Sequence, residues 1–209
     1  MEAMESASSC DPTHINEELQ MKFEEKMKFS DKEDDYSDVS LRLLDFTDVD
    51  DFMEWFADDN VNKFCSCDTV TISKEDAMRY IADIVIPHPW FRAICLNGKP
   101  IGSLSVSPFH GSNRCRGEIG YELASKYWGK RIATMAVKMV AATIFVEWPH
   151  LERLEAVVAV DNPGSQRVLE KAGFIKEGVL RKYYLLNGKA RDIVMFSLLS
   201  TDPQVTYFM

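Results

Sequence analysis

Positive charge gathers in one short stretch, Leu123-Ala-Ser-Lys-Tyr-Trp-Gly-Lys-Arg-Ile-Ala-Thr134, where a predicted strand gives way to a helix over 129–146. Lys130 and Arg131 fall in the first turn of that helix, Lys126 lies just upstream, and no acidic residue follows before Glu147. Cations at a helix N-terminus oppose the macrodipole at ~0.3–1 kcal/mol each, whereas an anion there is held by the dipole and the end N–H groups together. With Gly129 permitting close backbone approach, the stretch suits a phosphate. Charge alone does not separate such a cradle from a solvated basic turn. Just before it, strand alternation over Arg116–Leu123 puts Glu118, Gly120 and Glu122 on one face and Ile119, Tyr121 and Leu123 on the other. Two carboxylates on one face can do acid–base work, or they can simply face water.

Other chemistries find little support. Cys65-Ser-Cys67 lacks a second pair to complete a zinc site, and Cys10, Cys95 and Cys115 are irregularly placed, so no metal is expected and reduced thiols are. His14, His88, His110 and His150 are scattered, with no nucleophile elbow and no P-loop.

The elements that position these residues are legible from pattern. Val39–Leu44 alternates like a strand, and Asp48 reads as a cap for a helix carrying Phe52, Trp55 and Phe56, which with Trp90 are core residues. Ser73 and Asp76 form a capping box for a second helix that Pro87 stops. Strands Trp90–Leu96 and Ile101–Ser107 are joined by Asn97-Gly98, the dipeptide best suited to a type I′ hairpin. Arg116–Leu123 completes a meander. The long helix then leads to a strand Arg153–Val160, apolar on both faces over Ala156–Val160 and therefore central. A helix over 163–172 has Asn162 as cap, Pro163 at its first position and Gly173 past its end. Strands around 174–185 and 190–199 follow, and the LNGK words at 96–99 and 186–189 mark two independent hairpin turns. The order predicts an α/β fold: a mixed sheet of about seven strands flanked by about four helices on both faces.

Charge divides the chain. Residues 1–38 hold 12 acidic residues against 4 lysines, leaving −1 of the total −9 for the remaining 171. The reading is an acidic, disordered tail (1–38) with a short amphipathic helix over Ile15–Phe29, one domain over 39–200, and a short extension over 201–209. A near-neutral domain argues against nucleic acid as a partner, and no run is long enough to span a membrane. The expected setting is the cytoplasm, with nuclear entry left open.

Tyr121–Val137 together with Arg153–Leu199 resembles the GNAT superfamily of acetyl-CoA-dependent N-acetyltransferases, in particular the branch acting on N-termini of ribosomal proteins. In that family a Gln/Arg-x-x-Gly-x-Gly/Ala loop wraps the coenzyme A pyrophosphate; Trp128-Gly-Lys-Arg-Ile-Ala133 corresponds here, with Trp128 at the first position and Arg131 where glycine is usual. The second block is Asn162-x-x-Ser165 followed by Leu169-Glu-Lys-Ala-Gly-Phe174. The resemblance spans roughly 39–200.

It implies acetyl-CoA as cosubstrate, its pantetheine arm entering a gap between Arg116–Leu123 and Arg153–Val160 as an added strand would. Main-chain contacts are then expected from Tyr121, Glu122 and Leu123 and from Gly129, Lys130, Arg131, Ile132, Ala133 and Thr134, with Asn162 contacting the cofactor by its side chain or serving as a helix cap. An amine acceptor needs a base: Glu118 is the first choice and Glu122 the second, with a strand N–H near Leu123 for the oxyanion. Ser165 falls where the branch places a hydroxyl on the thioester sulfur, and Tyr184 or Tyr183 can reach it as well. Leu169 stands where many relatives carry a tyrosine acid, and Tyr184 where some carry a carboxylate base. The acceptor is a primary amine (a protein N-terminus, a polyamine or a small molecule), and the protein a monomer or homodimer. Two rival readings are a binding module that keeps the fold without turnover and an adaptor working through its acidic tail.

Overall fold

The computed structural model describes residues 38–65, 73–186 and 188–206. The stretch Ile15–Phe29, the acidic run up to residue 37, and Cys10, His14 and Cys67 lie outside them. Among the described residues seven strands make one sheet in the order β1-β2-β3-β4-β5-β7-β6: β1 (Val39–Arg42), β2 (Phe91–Leu96), β3 (Lys99–Pro108), β4 (Arg116–Leu123), β5 (Arg153–Ala159), β6 (Ile175–Leu186) and β7 (Lys189–Leu199). Of the neighbouring pairs only β4 and β5 run parallel. Asn97 and Gly98 take φ of 52° and 77°, as a type I′ turn requires.

One face of β1 and β2 is covered by α1 (Val49–Phe56), the single-turn α2 (Asp59–Asn62) and α3 (Lys74–Tyr80, continued by a wider turn over Ile81–Val85). Phe52, Trp55 and Ile81 are buried there against Phe91 and Ala93. The other face carries α4 (Ile132–Glu147) and α5 (Pro163–Lys171), with Leu104, Ile119, Val140, Leu154, Leu169 and Phe196 in the larger core. A last turn, α6 (Pro203–Thr206), adds Val205 to that core.

Local signals landed where the chain could satisfy them locally. The Ser73–Asp76 capping box is formed in both directions. Asp48 departs from expectation: Asp45 caps a 3-10 turn over Phe46–Asp48, and the Asp48 carboxylate takes Arg42 in two bonds of 2.7 Å. The buried Asp48 carboxylate accepts the guanidinium fork and the Asp45 N–H together, so it closes the 3-10 turn and makes no side-chain cap bond to α1.

The parallel pair is clamped at one end. Arg116 on β4 grips Glu155 on β5 through Nε and Nη2 at 2.8 and 2.9 Å. Arg153 donates Nε to the same carboxylate at 2.6 Å and its two terminal nitrogens to Glu177 on β6 at 2.7 and 2.6 Å. The Ser197 hydroxyl on β7 completes the network at 2.7 Å from Glu177. Four strands are thereby joined across one row. Burial works against the charge on Glu155, yet the two guanidiniums outweigh it and hold its carboxyl below the usual range; Arg153 and then Ser197 pull Glu177 down to about 2.

Because both carboxyls are depressed when folded, their contribution is present above the ordinary carboxylate range and disappears as acid is added towards pH about 2. Glu155→Ala should lower the unfolding free energy by about 3 kcal/mol at pH 7, the low end for breaking a buried pair because both arginines keep some access to water. Urea titrations along a descending pH series check this: the gap between wild type and variant should narrow below pH ~4.5.

Candidate active site

Past the clamp, β4 and β5 part. Their ladder consists of Arg116↔Arg153, Gly117↔Leu154 and Glu118↔Glu155 and then stops. Each strand continues fully paired to its outer neighbour, β4 to β3 as far as Leu123 and β5 to β7 as far as Ala159. The result is a wedge with its vertex at Glu118, running past five residues of β4, roughly 17 Å at ~3.4 Å per residue.

Which backbone groups line the wedge follows from alternation. The Arg116 carbonyl accepts from Phe109, and the Ala124 N–H donates to Ile101, both towards β3. Even-numbered residues of β4 therefore turn their main chain to β3, and Ile119, Tyr121 and Leu123 turn theirs into the wedge. This corrects the expectation for Glu122, whose carbonyl lies so close to Gly102 that a Cβ there would sit 2.3 Å away. Glu122 offers the wedge no backbone; it offers a side chain on the open sheet face. Leu123 offers only its N–H, because its carbonyl already accepts the Trp128 indole at 2.7 Å.

The open face carries the carboxylates. Glu118 lies opposite Ser107 and Glu155, and Gly120 beside it is exposed. Burial, and after it the charge of Glu155, raises the Glu118 carboxyl above its ordinary value. Burial also raises Glu122, partly offset by the Cys65 thiol, which donates to Oε1 at 3.5 Å. Both expected bases thus share one face, with Glu118 at the vertex and Glu122 nearer the mouth.

The mouth is built by the turn after β4. Ser125 N–H bonds Asp58 at 2.9 Å and Lys126 pairs with Glu54 at 2.5 Å, so α1 and α2 hold the turn from one side and Trp128 from the other. Lys126 is consequently directed to α1 and not to the mouth. Helix α4 begins at Ile132, three residues later than the sequence suggests, because Gly129 and Arg131 take φ of 77° and 61°. Lys130 and Arg131 are therefore an exposed loop ahead of the helix, and no side chain of the N-cap residue closes its end. Ile132 is buried, while Ala133 and Thr134 are half-buried, so this end offers chiefly main-chain N–H groups.

Across the wedge, the Asn162 side chain accepts from Ser165 N–H at 3.1 Å, the capping role, which leaves its amide nitrogen as the donor for a ligand. The Ser165 hydroxyl meets the Tyr121 phenol at 2.6 Å. Tyr184 is half-buried opposite Arg191; burial and then Asp161 push its phenol up. The structure brings Ser165 together with Tyr121, and among the described residues gives Tyr184 no bond to Ser165. Tyr121, Trp128 and Cys65 are side chains whose placement sequence reasoning missed; only the aromatic identity of the first two hinted at it.

Comparison with known proteins agrees with this geometry. The family described as acetyltransferase (GNAT) domain matches residues 38–175. The N-acetyltransferase p20 of Bacillus licheniformis is 30% identical over 169 residues, covering 78% of this chain and 94% of that one. The [Ribosomal protein uS5]-alanine N-acetyltransferase of Escherichia coli is 32% identical over 85 residues, 40% of this chain and 43% of its own length. Among solved structures, Mycobacterium smegmatis RimJ in complex with CoA-disulfide superposes with a TM-score of 0.67 at 25% identity, covering 80% of this chain and 86% of that one. The splayed parallel pair, the turn-to-helix mouth and these likenesses place the chain in the GNAT acetyltransferase family.

Proposed function

We propose that this N-acetyltransferase takes acetyl from acetyl-CoA seated in the wedge and delivers it by direct attack to a primary amine, the α-amine of a protein N-terminus first among acceptors. The observation that carries the reading is the β4–β5 ladder that ends at Glu118↔Glu155 while both outer ladders continue. Main-chain groups stranded between two strands suit a ligand with amides of its own. The named activity of the uS5-alanine relative supports the choice of acceptor.

The parts fit the cosubstrate. Tyr121 and Leu123 N–H groups meet the arm and the developing oxyanion, and Gly129–Thr134 meets the diphosphate with Lys130 and Arg131 supplying charge. When bound, acetyl-CoA supplies an activated acetyl and a weakly basic thiolate as leaving group. Glu118, at the vertex, accepts the proton that the amine loses, directly or through a water; Glu122 is the second candidate. A raised carboxyl is a better match to that proton than an ordinary one.

Purified protein should be stabilised by ~2.7 kcal/mol at a hundredfold excess over Kd, read as a thermal shift, and should release thiol with peptides bearing a free N-terminus. Binding without turnover on any peptide, polyamine or amino-acid amine would favour the binding-module reading instead.

Glu118→Gln should cut kcat by about 10²-fold and remove the acid limb of its pH profile. The folded carboxyl is raised, so its ionised form costs stability above that value, and the variant should melt higher at pH 7. Lower activity with a lower melting temperature would contradict the assignment.

Arg131→Gly separates charge from strain. A non-glycine residue at φ of 61° is held in the left-handed region, which costs ~1 kcal/mol, so the glycine variant should be no less stable. If Arg131 meets phosphate, KM for acetyl-CoA should rise about fivefold with kcat retained, the signature of lost uniform binding.

A further inference from the structure

The Tyr121 phenol lies at a place the chemistry above does not use. Its side chain leaves β4 on the core face, packs against the larger core and reaches the first turn of α5. There it lies 2.6 Å from the Ser165 hydroxyl oxygen and 3.1 Å from the Ser165 carbonyl oxygen. Asn162 fixes the same serine by its N–H at 3.1 Å. Ser165 is thus gripped at N–H, carbonyl and hydroxyl, by residues on both sides of the wedge. Four residues on, the same helix face carries Leu169, which is wholly buried. The inward side of α5 therefore has Ser165 as its hydroxyl and borrows its phenol from β4.

We propose that Tyr121 is a positioning residue for acetyl transfer: it holds the Ser165 hydroxyl where its hydrogen can turn to the departing sulfur. The inference rests on the acetyl-transfer reading, with the Ser165 hydroxyl on the thioester sulfur as the family resemblance implies, and adds the residue that holds that hydroxyl in place.

Donor bookkeeping shows how. The carbonyl oxygen only accepts, so a bond to it uses the phenol hydrogen, and the serine hydrogen then points to the phenol oxygen. As charge builds on sulfur, the phenol hydrogen turns from the carbonyl to the serine oxygen, and the serine hydrogen turns to sulfur. The exchange is two hydroxyl rotations, and no O–H bond breaks. The amine nitrogen forms the new C–N bond, the C–S pair leaves with sulfur, the amine proton goes to Glu118 or water, and the thiolate takes its proton from solvent.

Proton donation by the phenol is the rival, and magnitudes decide against it. A thiol of ordinary pKa ≈8.5 already lies below a phenol at ≈10, and burial pushes Tyr121 further up, only partly countered by Ser165. Tyr121 therefore stays protonated and acts by direction.

The test uses the full chain, acetyl-CoA and the peptide acceptor. Tyr121→Phe and Ser165→Ala should each lower kcat about tenfold with KM for acetyl-CoA within twofold. The double variant should be no slower than the slower single, because the two hydroxyls act as one unit. Wild-type kcat in Tyr121→Phe, or losses that multiply in the double variant, would overturn the proposal. 3-Fluorotyrosine at position 121 keeps the shape should phenylalanine prevent folding: an unchanged pH profile of kcat supports positioning, and a limb that moves down with the phenol pKa overturns it. Failure of the underlying reading shows separately, as no thiol release by wild type with any amine, and takes the proposal with it.

Discussion

Two parallel strands fastened at one end and released at the other set everything else in this domain. The fastening is electrostatic and centred on one buried carboxylate: Arg116 and Arg153 converge on Glu155, and Arg153 reaches on to the more exposed Glu177. The release is a matter of competing partners. β4 is fully satisfied by β3 on one side, and β5 by β7 on the other, so neither needs the other beyond Glu118↔Glu155. Right-handed twist carries diverging neighbours further apart with each residue. What remains is a row of main-chain donors and acceptors without a strand beside them. Inside a protein such groups are costly to leave unmet, so the wedge has hydrogen-bonding preferences of its own.

Alternation along β4 then distributes the work. Main-chain groups of Ile119, Tyr121 and Leu123 lie in the plane of the sheet, facing the gap. The side chains of Glu118 and Glu122 stand on one face, and those of Ile119, Tyr121 and Leu123 sink into the core with α4 and α5 on the other. Eight residues thereby address three environments. The turn that follows cannot drift, since Asp58, Glu54 and the Leu123 carbonyl each hold one of its residues. Trp128 occupies the motif's first position and serves as a latch: its indole satisfies the last carbonyl of β4, which would otherwise compete for whatever enters the mouth.

How much of this could be read beforehand depended on distance along the chain. The Asn97-Gly98 turn, the Ser73–Asp76 box, the Asn162 cap and the alternation of Arg116–Leu123 are decided within four to eight residues, and all were legible. The start of α4 was not, because arginine carries no sign that it will adopt a left-handed conformation; only the motif's preference for glycine at Arg131 pointed there. Lys126 looked like part of a phosphate cradle until Glu54, 72 residues earlier, was found to hold it. The pairs Tyr121–Ser165 and Cys65–Glu122 join segments 44 and 57 residues apart, and no periodicity encodes them. Local physics thus gave the scaffold and the faces, and long-range packing chose which side chains meet.

The nature of the site also bears on which amine it can serve. At pH 7 an α-amine of pKa ≈7.7–8.0 is neutral to roughly one part in ten, against about one in 10³ for a lysine-like amine at ≈10.4. The first deficit is about 1.4 kcal/mol and the second about 4.6 kcal/mol, at 1.36 kcal/mol per pKa unit. Glu118 is raised by burial and by Glu155, but it remains a carboxylate. A base of that kind closes the smaller gap far more readily than the larger one. The open face gives an extended chain room to approach, with Ser105 and Ser107 of β3 beside Gly120 and Glu118 of β4. With Glu118 as the proposed base, proton affinity and access point the same way, to a chain terminus and away from a long alkyl ammonium. Under the proposed function, acceptor choice is set as much by the acidity of the amine as by the shape of the pocket that receives it.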